Sequence, residues 1–205
     1  MAILKIALTG GIACGKSSVG QMFGALAVPI IELDRIAREV VCPSSKALEA
    51  LVMEFGVEIL NADKTLNRGI LRQLLLKNPS NRQLIEAILH PQILAKMHAE
   101  IAELELQANA KLVIIEVALL AEKNLSDLFD RAINVDCSKE NQLSRLLQRD
   151  KISKALAEKM IAAQASPQQR FELADKLPTD IIENNSDRAD LEKKVVILSQ
   201  ELLNL

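Results

Sequence analysis

The sequence is poor in aromatic residues and carries no excess of positive charge. Its 205 residues include four Phe and neither Trp nor Tyr, and the formal net charge is −2. A dedicated nucleic-acid binder would need a basic patch or aromatic rings on which bases can stack. We therefore expect no nucleic-acid partner.

Cysteine is also scarce, and long hydrophobic runs are missing. Cys14, Cys42 and Cys137 are odd in number, far apart along the chain and free of any C-x-x-C spacing. This pattern argues against a disulfide framework or a zinc site and favours a reducing compartment. The apolar N-terminal run is broken at Lys5 and Gly10 and lacks a cationic leader, so it indicates neither a secretory signal nor a membrane span. We expect a cytoplasmic protein without a membrane partner.

What the sequence does contain is a phosphate-binding motif between an apolar run and a helical pattern. Residues 10–17 read G-G-I-A-C-G-K-S and match G-x-x-x-x-G-K-[ST] at every fixed position. Residues 3–9 have the composition of a buried parallel strand, and residues 17–26 repeat apolar side chains at helical spacing. A glycine-rich turn between such elements predicts a site for a nucleoside triphosphate.

Each fixed residue of this motif has a chemical reason. Gly10 and Gly15 permit backbone torsions and close approaches that a Cβ would block, so that N–H groups can point at phosphate oxygens. Lys16 reaches the β- and γ-phosphates in such a loop, and the Ser17 hydroxyl completes the shell of a Mg²⁺ ion. We therefore expect Mg²⁺ as cofactor, with Ser17 as its protein ligand.

Short apolar runs alternate with helical patterns along the rest of the chain. Such strand-like runs occupy residues 3–9, 28–33, 112–117, 132–135 and 180–183. Strands that alternate with helices predict a parallel sheet covered by helices on both faces. The last helix is expected to begin near Ser186 or Asp187.

One long interval has no strand pattern. Between Leu33 and Lys111 the apolar residues recur at helical spacing, which predicts a helical insertion. Asn78 and Pro79 supply an N-cap and a first-turn proline for one of its helices. Pro91, which follows His90, is expected to kink or interrupt that helix.

The phosphate-binding motif alone does not distinguish a kinase from other nucleotide-binding proteins. The guanine-reading strings N-K-x-D and T-K-x-D and the switch string D-x-x-G are all absent, which argues against a switch GTPase. A chain of this length with a helical insertion has the proportions of a small-metabolite kinase. The other interpretations are a nucleoside or nucleoside-monophosphate kinase and a catalytically idle nucleotide sensor.

Two carboxylates stand at the carboxyl end of the second strand-like run. Alternation along a strand would point Glu32 and Asp34 to the same side if the strand persists that far. Ligands bind at this edge of open parallel sheets, where a carboxylate can take the proton of an acceptor hydroxyl. Asp34 could equally cap the helix that follows. The residues themselves leave both roles open.

Several further motifs, taken in order, resemble the dephospho-coenzyme A kinase family. They are L-T-G-G-I-A-C-G-K-S-S-V at 8–19, D-R-I-A-R-E-V-V at 34–41, F-G at 55–56, L-N-R-G-I-L-R at 66–72, H-P at 90–91, L-L-A-E at 119–122 and Q-L-S-R-L-L-Q-R-D at 142–150. The match covers nearly the whole chain, and the I-A-R-x-V-V and R-D elements make it far more specific than the phosphate loop alone.

The resemblance implies an α/β architecture, namely a three-layer P-loop kinase fold with a parallel five-stranded sheet. Residues 1–34 and 111–205 would form the nucleotide-binding core, with a lid at about 139–165, and residues 35–110 the helical acceptor domain. The implied reaction is the ATP-dependent phosphorylation of the ribose 3′-hydroxyl of dephospho-coenzyme A, the last step of coenzyme A biosynthesis. ATP and dephospho-coenzyme A are thus the implied partners. The sequence carries no signal for an oligomeric state.

The resemblance also implies roles for individual residues. The nucleotide-binding residues are Gly11, Ile12, Ala13, Cys14, Gly15, Lys16, Ser17 and Ser18. The acceptor-binding residues are Thr9, Asp34, Arg68, Arg72 and His90. The catalytic residues are Asp34 as the base, Lys16, Arg145 and Arg149. His90 could equally be a hydrogen-bond donor at a helix end.

The proposed lid arginines have support from spacing as well. Arg145 and Arg149 are four apart on an amphipathic helix and therefore share a face. They could fold over a triphosphate or, alternatively, pair with Asp150 and Glu140 on a solvated face.

The chain departs from the family pattern at a few positions. Glu32 replaces an aspartate and Ala118 a proline, and the A-D-x-x-I-x-N element is stretched by insertion of residues between Asp175 and Asn184. Cys14 stands where serine is frequent, either as a small packing residue or as an oxidisable thiol.

Overall fold

The structure is a computed structural model that describes residues 2–107, 110–118, 120–121 and 125–205, without the side chain of Pro79. Leu119 and Glu122 of the predicted L-L-A-E motif lie outside the described residues. The chain divides into two compact units, a sheet unit of residues 1–32 and 104–205 and a helical unit of residues 33–103.

The sheet unit is built on five parallel strands. They are β1 (Leu4–Gly10), β2 (Ile30–Glu32), β3 (Leu112–Glu116), β4 (Arg131–Asp136) and β5 (Thr179–Glu183). Their order is β2-β3-β1-β4-β5, and every pairing is parallel. All five predicted strands are therefore present, and the predicted parallel five-stranded sheet is confirmed. Because β1 is central, the loop that follows it lies at the middle of the carboxyl edge.

The described α-helices follow in chain order. They are α1 (Lys16–Ala25), α2 (Leu33–Glu39), α3 (Lys46–Phe55), α4 (Arg68–Lys77), α5 (Pro79–Leu106), α6 (Lys139–Asp150), α7 (Lys154–Ala162), α8 (Pro167–Phe171) and α9 (Arg188–Leu203). Short 3₁₀ turns lie at Val57–Ile59, Ser126–Leu128 and Glu172–Asp175. Helix α9 begins directly after Asp187, close to the start expected from the sequence, and Asp187 caps it by accepting a hydrogen bond from the Asp190 amide.

One face of the sheet packs against α1 and α9. Ile6 and Ile133 of the strands, Phe23 of α1 and Val195 of α9 are completely buried in one apolar cluster. Burying a side chain of this size contributes roughly 1.5–3 kcal/mol relative to exposure. This packing holds the N-terminus of α1 against the central strand, where the phosphate-binding loop begins.

The second strand is shorter than predicted. It ends at Glu32, and α2 begins at Leu33. The expectation that Glu32 and Asp34 alternate along one strand is therefore wrong. A helix forms here in place of a longer strand because Ile36 is buried and Arg35 pairs with Glu39 one turn later, at 2.8 Å between Nη1 and Oε1.

The helical unit has an apolar core of its own. Its buried residues are Val41, Ala47, Leu51, Ile59, Leu71 and Ile85. Helices α3 and α4 both begin at side-chain N-caps, since Ser45 accepts from the Leu48 amide and Asn67 from the Ile70 amide. An isolated antiparallel bridge joins Leu60 and Leu66.

The longest helix of this unit continues through a proline. Helix α5 includes Pro91, so the expected interruption after His90 does not occur. Proline removes one N–H donor and crowds the preceding turn. Contacts on both sides compensate, with Ile85 buried before the proline and Glu100 in an ion pair after it.

Within the described residues, no helix is both long and apolar enough to cross a membrane.

Candidate active site

The phosphate-binding loop joins β1 to α1 in the geometry that the motif requires. Gly15 has a φ of +103°, in the left-handed region, and a Cβ there would overlap the Asn184 side chain. A Cβ on Gly10 would likewise overlap the backbone of Val135 on β4. Both glycines are therefore needed for close approach, and α1 begins directly after the second.

Asn184 holds the middle of this loop. Its side-chain Nδ2 donates to the carbonyl oxygen of Cys14 at 2.8 Å, and its backbone N–H donates to the carbonyl of Asp136 at 2.8 Å. Arg145 in turn donates from Nη2 to the carbonyl of Asn184 at 3.0 Å. Asn184 was not among the predicted site residues, because the stretched motif that ends in it obscured its position next to the loop.

The first half of the loop contacts the segment between α7 and α8. Gln164 accepts a hydrogen bond from the Ile12 amide through Oε1 at 2.6 Å. A Cβ on Gly11 would overlap Nε2 of Gln142 on α6. The backbone at Gly11 and Ile12 is thus enclosed by amide side chains that the sequence analysis did not identify.

Lys16 forms an ion pair with Glu116 at the end of β3. Nζ of Lys16 hydrogen-bonds to Oε2 of Glu116, and the two side chains are 16% and 10% exposed. The Glu116 carboxylate also packs against Gly20 of α1, where a Cβ would overlap Oε1. Glu116 was not among the predicted site residues, although a carboxylate that ends an apolar run was a usable signal.

The predicted lid arginines both line a cavity with the loop. This cavity of about 770 Å³ is bounded by Ala13, Gly15, Lys16, Ser17, Ser18, Met22, Arg145, Gln148, Arg149, Asn184, Ser186, Arg188 and Leu191. The sheet unit therefore brings five of the eight predicted nucleotide-binding residues and both arginines to one cavity. Of the remaining three, Gly11 and Cys14 are buried and Ile12 is partly buried.

The two arginines differ in their partners. Nη1 of Arg145 is buried and has no hydrogen-bond partner among the described residues. Arg149 is 56% exposed and binds Asp150 through two hydrogen bonds, of 2.7 and 2.9 Å. This pair lowers the pKa of the Asp150 carboxyl. The alternative of a solvated ion pair therefore describes Arg149 in this structure, while Arg145 keeps an unpaired donor.

Oxygen ligands for a divalent cation are present beside the cavity. Ser17 is exposed at the start of α1, and the Glu116 carboxylate is the acidic partner of the neighbouring Lys16. Mg²⁺ prefers such hard oxygen ligands and keeps several waters, so it needs few protein groups when phosphates complete its shell. The donor set at this loop fits Mg²⁺.

Thr9 occupies a different environment from the other predicted site residues of the sheet unit. It lies within β1, opposite Asn134 of β4, and is only 3% exposed. Thr9 is not among the residues that line the cavity at the loop.

The helical unit carries the remaining predicted acceptor-binding residues. Asp34 is exposed in the first turn of α2, inside the helix and not at its cap position. Arg68 and Arg72 are exposed one turn apart on α4, and His90 is exposed on α5. Their spacing puts the two arginines on one face, where they form a pair of positive charges.

Salt bridges hold the helix that carries Asp34. Arg35 binds Glu100 of α5 at 2.6 Å, and Lys96 of α5 binds Glu39 at 2.7 Å. Lys96 and then Arg35 lower the pKa of the Glu39 carboxyl. Helix α2 is thereby attached to α5 at both ends, which fixes the orientation of its first turn.

Comparisons with known proteins agree over nearly the full length. The family model for dephospho-CoA kinase matches residues 4–190 of this chain. The dephospho-CoA kinase of Vibrio parahaemolyticus is 39% identical over 201 residues, which cover 98% of this chain and 95% of the relative.

Solved structures give the same result for the fold. The dephospho-CoA kinase from Campylobacter jejuni has a TM-score of 0.70 at 28% identity, covering 97% of this chain and 96% of that one. A Thermus thermophilus protein, TT1252, has a TM-score of 0.81 at 25% identity, covering 98% and 99%.

Proposed function

This chain belongs to the dephospho-CoA kinase family, and we propose that its loop cavity binds MgATP for phosphorylation of the ribose 3′-hydroxyl of dephospho-coenzyme A. The product is coenzyme A, and the reaction is the last step of its biosynthesis. The observation that carries the proposal is the cavity that joins Lys16 and Ser17 of the loop to Arg145 of α6. A cationic cavity at a helix N-terminus is suited to a polyphosphate.

Lys16 and Arg145 are the residues that would act on the transferred group. The ammonium of Lys16, held by Glu116, would exchange this carboxylate for β- and γ-phosphate oxygens. The unpaired Nη1 of Arg145 would neutralise charge that develops on the phosphoryl oxygens. Arg149 would have to exchange Asp150 for phosphate, so its contribution should be smaller.

Mg²⁺ would be held by the hydroxyl of Ser17 and by the carboxylate of Glu116, directly or through water. When bound, the ion neutralises phosphate charge and orients the γ-phosphoryl group. Glu116 would thus pair with Lys16 in the absence of nucleotide and with the hydrated cation when nucleotide is bound.

The helical unit, Leu33–Glu103, is the proposed acceptor domain. Asp34 would accept the proton of the 3′-hydroxyl, a role that suits an exposed carboxylate in a first helical turn fixed by the Arg35–Glu100 pair. Arg68 and Arg72 would bind acceptor phosphates through charge-assisted hydrogen bonds. His90 would be a further hydrogen-bond donor to the acceptor phosphates.

The free cysteines of the chain are compatible with a cytoplasmic location.

An acceptor panel with radiolabelled ATP tests the proposed substrate. Dephospho-coenzyme A should be phosphorylated far better than adenosine, AMP or shikimate, since a remote pantetheine arm provides binding energy that can support closure. Activity on AMP equal to that on dephospho-coenzyme A would instead identify a nucleoside-monophosphate kinase.

The base is tested separately by Asp34→Asn. Turnover should fall about a hundredfold or more, the usual contribution of a positioned base, while ATP affinity stays within a few fold. Glu32→Gln is the matched control, because Glu32 is also exposed and lies two residues earlier. Normal turnover in Asp34→Asn, or an equal loss of turnover in Glu32→Gln, would mean that another group is the base.

A further inference from the structure

Two of the three cysteines meet beneath the phosphate-binding loop. Cys14 lies in the loop and Cys137 directly follows β4, and their Sγ atoms are 2.8 Å apart. Cys14 is completely buried and Cys137 is 8% exposed, whereas Cys42 is exposed in the helical unit. A disulfide bond requires an S–S distance of about 2.05 Å. The two thiols can therefore reach bonding distance with a movement below about 1 Å.

The surroundings make the two thiols unequal. The hydrogen bond shared with Cys14 and the positive charge of Arg145 lower the pKa of the Cys137 thiol. The same hydrogen bond, together with burial, raises the pKa of Cys14. Cys137 is thus both the more acidic thiol and the one with exposed surface, while Cys14 is the protonated partner beside it.

We propose that Cys14 and Cys137 form an oxidation site at which a peroxide closes a disulfide across the base of the phosphate-binding loop. The Cys137 thiolate attacks the O–O bond of hydrogen peroxide, which gives a sulfenic acid and releases hydroxide. Cys14 then attacks the sulfenic sulfur and water leaves. In total, two thiols lose two electrons and two protons, and one peroxide becomes two waters. A dithiol reductant reverses the reaction.

The bond would change the loop on which nucleotide binding depends. Cys14 is the residue whose carbonyl is held by Asn184, and Cys137 precedes Ser138, the N-cap of α6. A disulfide would therefore tie the loop to the start of the helix that carries Arg145. Catalytic groups must be held within about 0.5 Å of their productive positions. Because the loop must move by a comparable distance, we expect lower turnover in the oxidised protein.

The chemistry can be tested on the full chain without any assumption about its activity. The variant Cys42→Ser leaves only Cys14 and Cys137 to react. Treatment with equimolar hydrogen peroxide, followed by denaturation in iodoacetamide, should give a mass lower by two hydrogens and no alkylated thiols. Digestion without reductant should yield one peptide pair joined between positions 14 and 137. Two alkylated thiols, or a stable sulfinic acid on Cys137, would overturn the proposal.

The functional consequence rests on the proposed kinase activity and has its own readout. Peroxide should lower turnover several-fold in the wild type and in Cys42→Ser, and dithiothreitol should restore it. Cys137→Ser should retain the basal rate and resist peroxide; Cys137→Ala provides a second variant, and a melting curve establishes that each folds. A linked peptide with unchanged turnover would refute the effect on the loop but leave the disulfide established. Equal peroxide sensitivity of Cys137→Ser would show that another group is oxidised.

Discussion

Replacing Gly20 by alanine tests whether the carboxylate of Glu116 must stay where the structure has it. Gly20 is buried on α1, and a Cβ there would overlap Oε1 of Glu116. The overlap is with the end of a flexible side chain, so the backbone can remain in place while the carboxylate rotates away. Its hydrogen bond to Lys16 is then lost.

The expected stability change is small because two contributions oppose each other. Alanine is favoured over glycine inside a helix by about 1 kcal/mol. Loss of a hydrogen bond between charged groups costs about 1.5–3 kcal/mol. The free energy of unfolding should therefore fall by no more than about 2 kcal/mol, which lowers the melting temperature by ~4–8 °C at most, at ~2–4 °C per kcal/mol.

The expected change in turnover is larger. A displaced Glu116 no longer orients Lys16 or the proposed metal ion, and loss of such a supporting group typically costs about tenfold to a hundredfold. A steady-state assay with saturating dephospho-coenzyme A and varied ATP measures the effect.

Gly24→Ala is the matched control on the same helix. Gly24 is exposed, and the nearest atom to its added Cβ would be Cγ1 of Ile30 at an ordinary contact distance of 3.7 Å. This variant should gain about 0.5–1 kcal/mol of stability and keep wild-type turnover. Wild-type turnover in Gly20→Ala would refute the inferred role of Glu116, and equal losses in both variants would attribute the effect to helix α1 itself.

Three further predictions concern single side chains of the sheet unit. Lys16→Ala should lower turnover about a hundredfold to a thousandfold. It should also lower the melting temperature, since Glu116 is left buried without its cation. The double variant that adds Glu116→Gln should regain stability but not activity. In steady-state assays Arg145→Ala should lose at least tenfold more turnover than Arg149→Ala, and the reverse order would contradict the assignment of the unpaired donor. Asn134→Val should raise the free energy of unfolding by about 1–3 kcal/mol, because both amide atoms are buried without a partner among the described residues; a lower melting temperature would show that the amide is satisfied.

The fold was predictable from the sequence where local patterns decide it. The five apolar runs, the helical interval after the second run and the start of the last helix near Asp187 each depend on neighbouring residues, and each is present in the structure. The failures lie where packing overrides local rules. Burial of Ile36 ends β2 at Glu32, and contacts on both sides carry α5 through Pro91.

The site was predictable only as far as its motif extends. G-x-x-x-x-G-K-[ST] specifies the loop and its lysine, but it says nothing of the side chains that hold them. Gln164 reaches the Ile12 amide from 152 residues away in the chain, and such a contact leaves no local periodicity. The proposed lid arginines needed the family resemblance, because spacing alone also fits a solvated helix face.

Three of the contacts that were not predicted from the sequence nevertheless share a position in the topology. Glu116 is the last residue of β3, Cys137 is the first residue after β4, and Asn184 is the first after β5. The carboxyl ends of parallel strands meet at one edge, so residues at these positions converge on the loop after β1. One of them binds Lys16, one contacts the thiol of Cys14 and one holds its carbonyl. Once a phosphate loop and the apolar runs are recognised, the residue that ends or follows each run is therefore the first place to look for its partners.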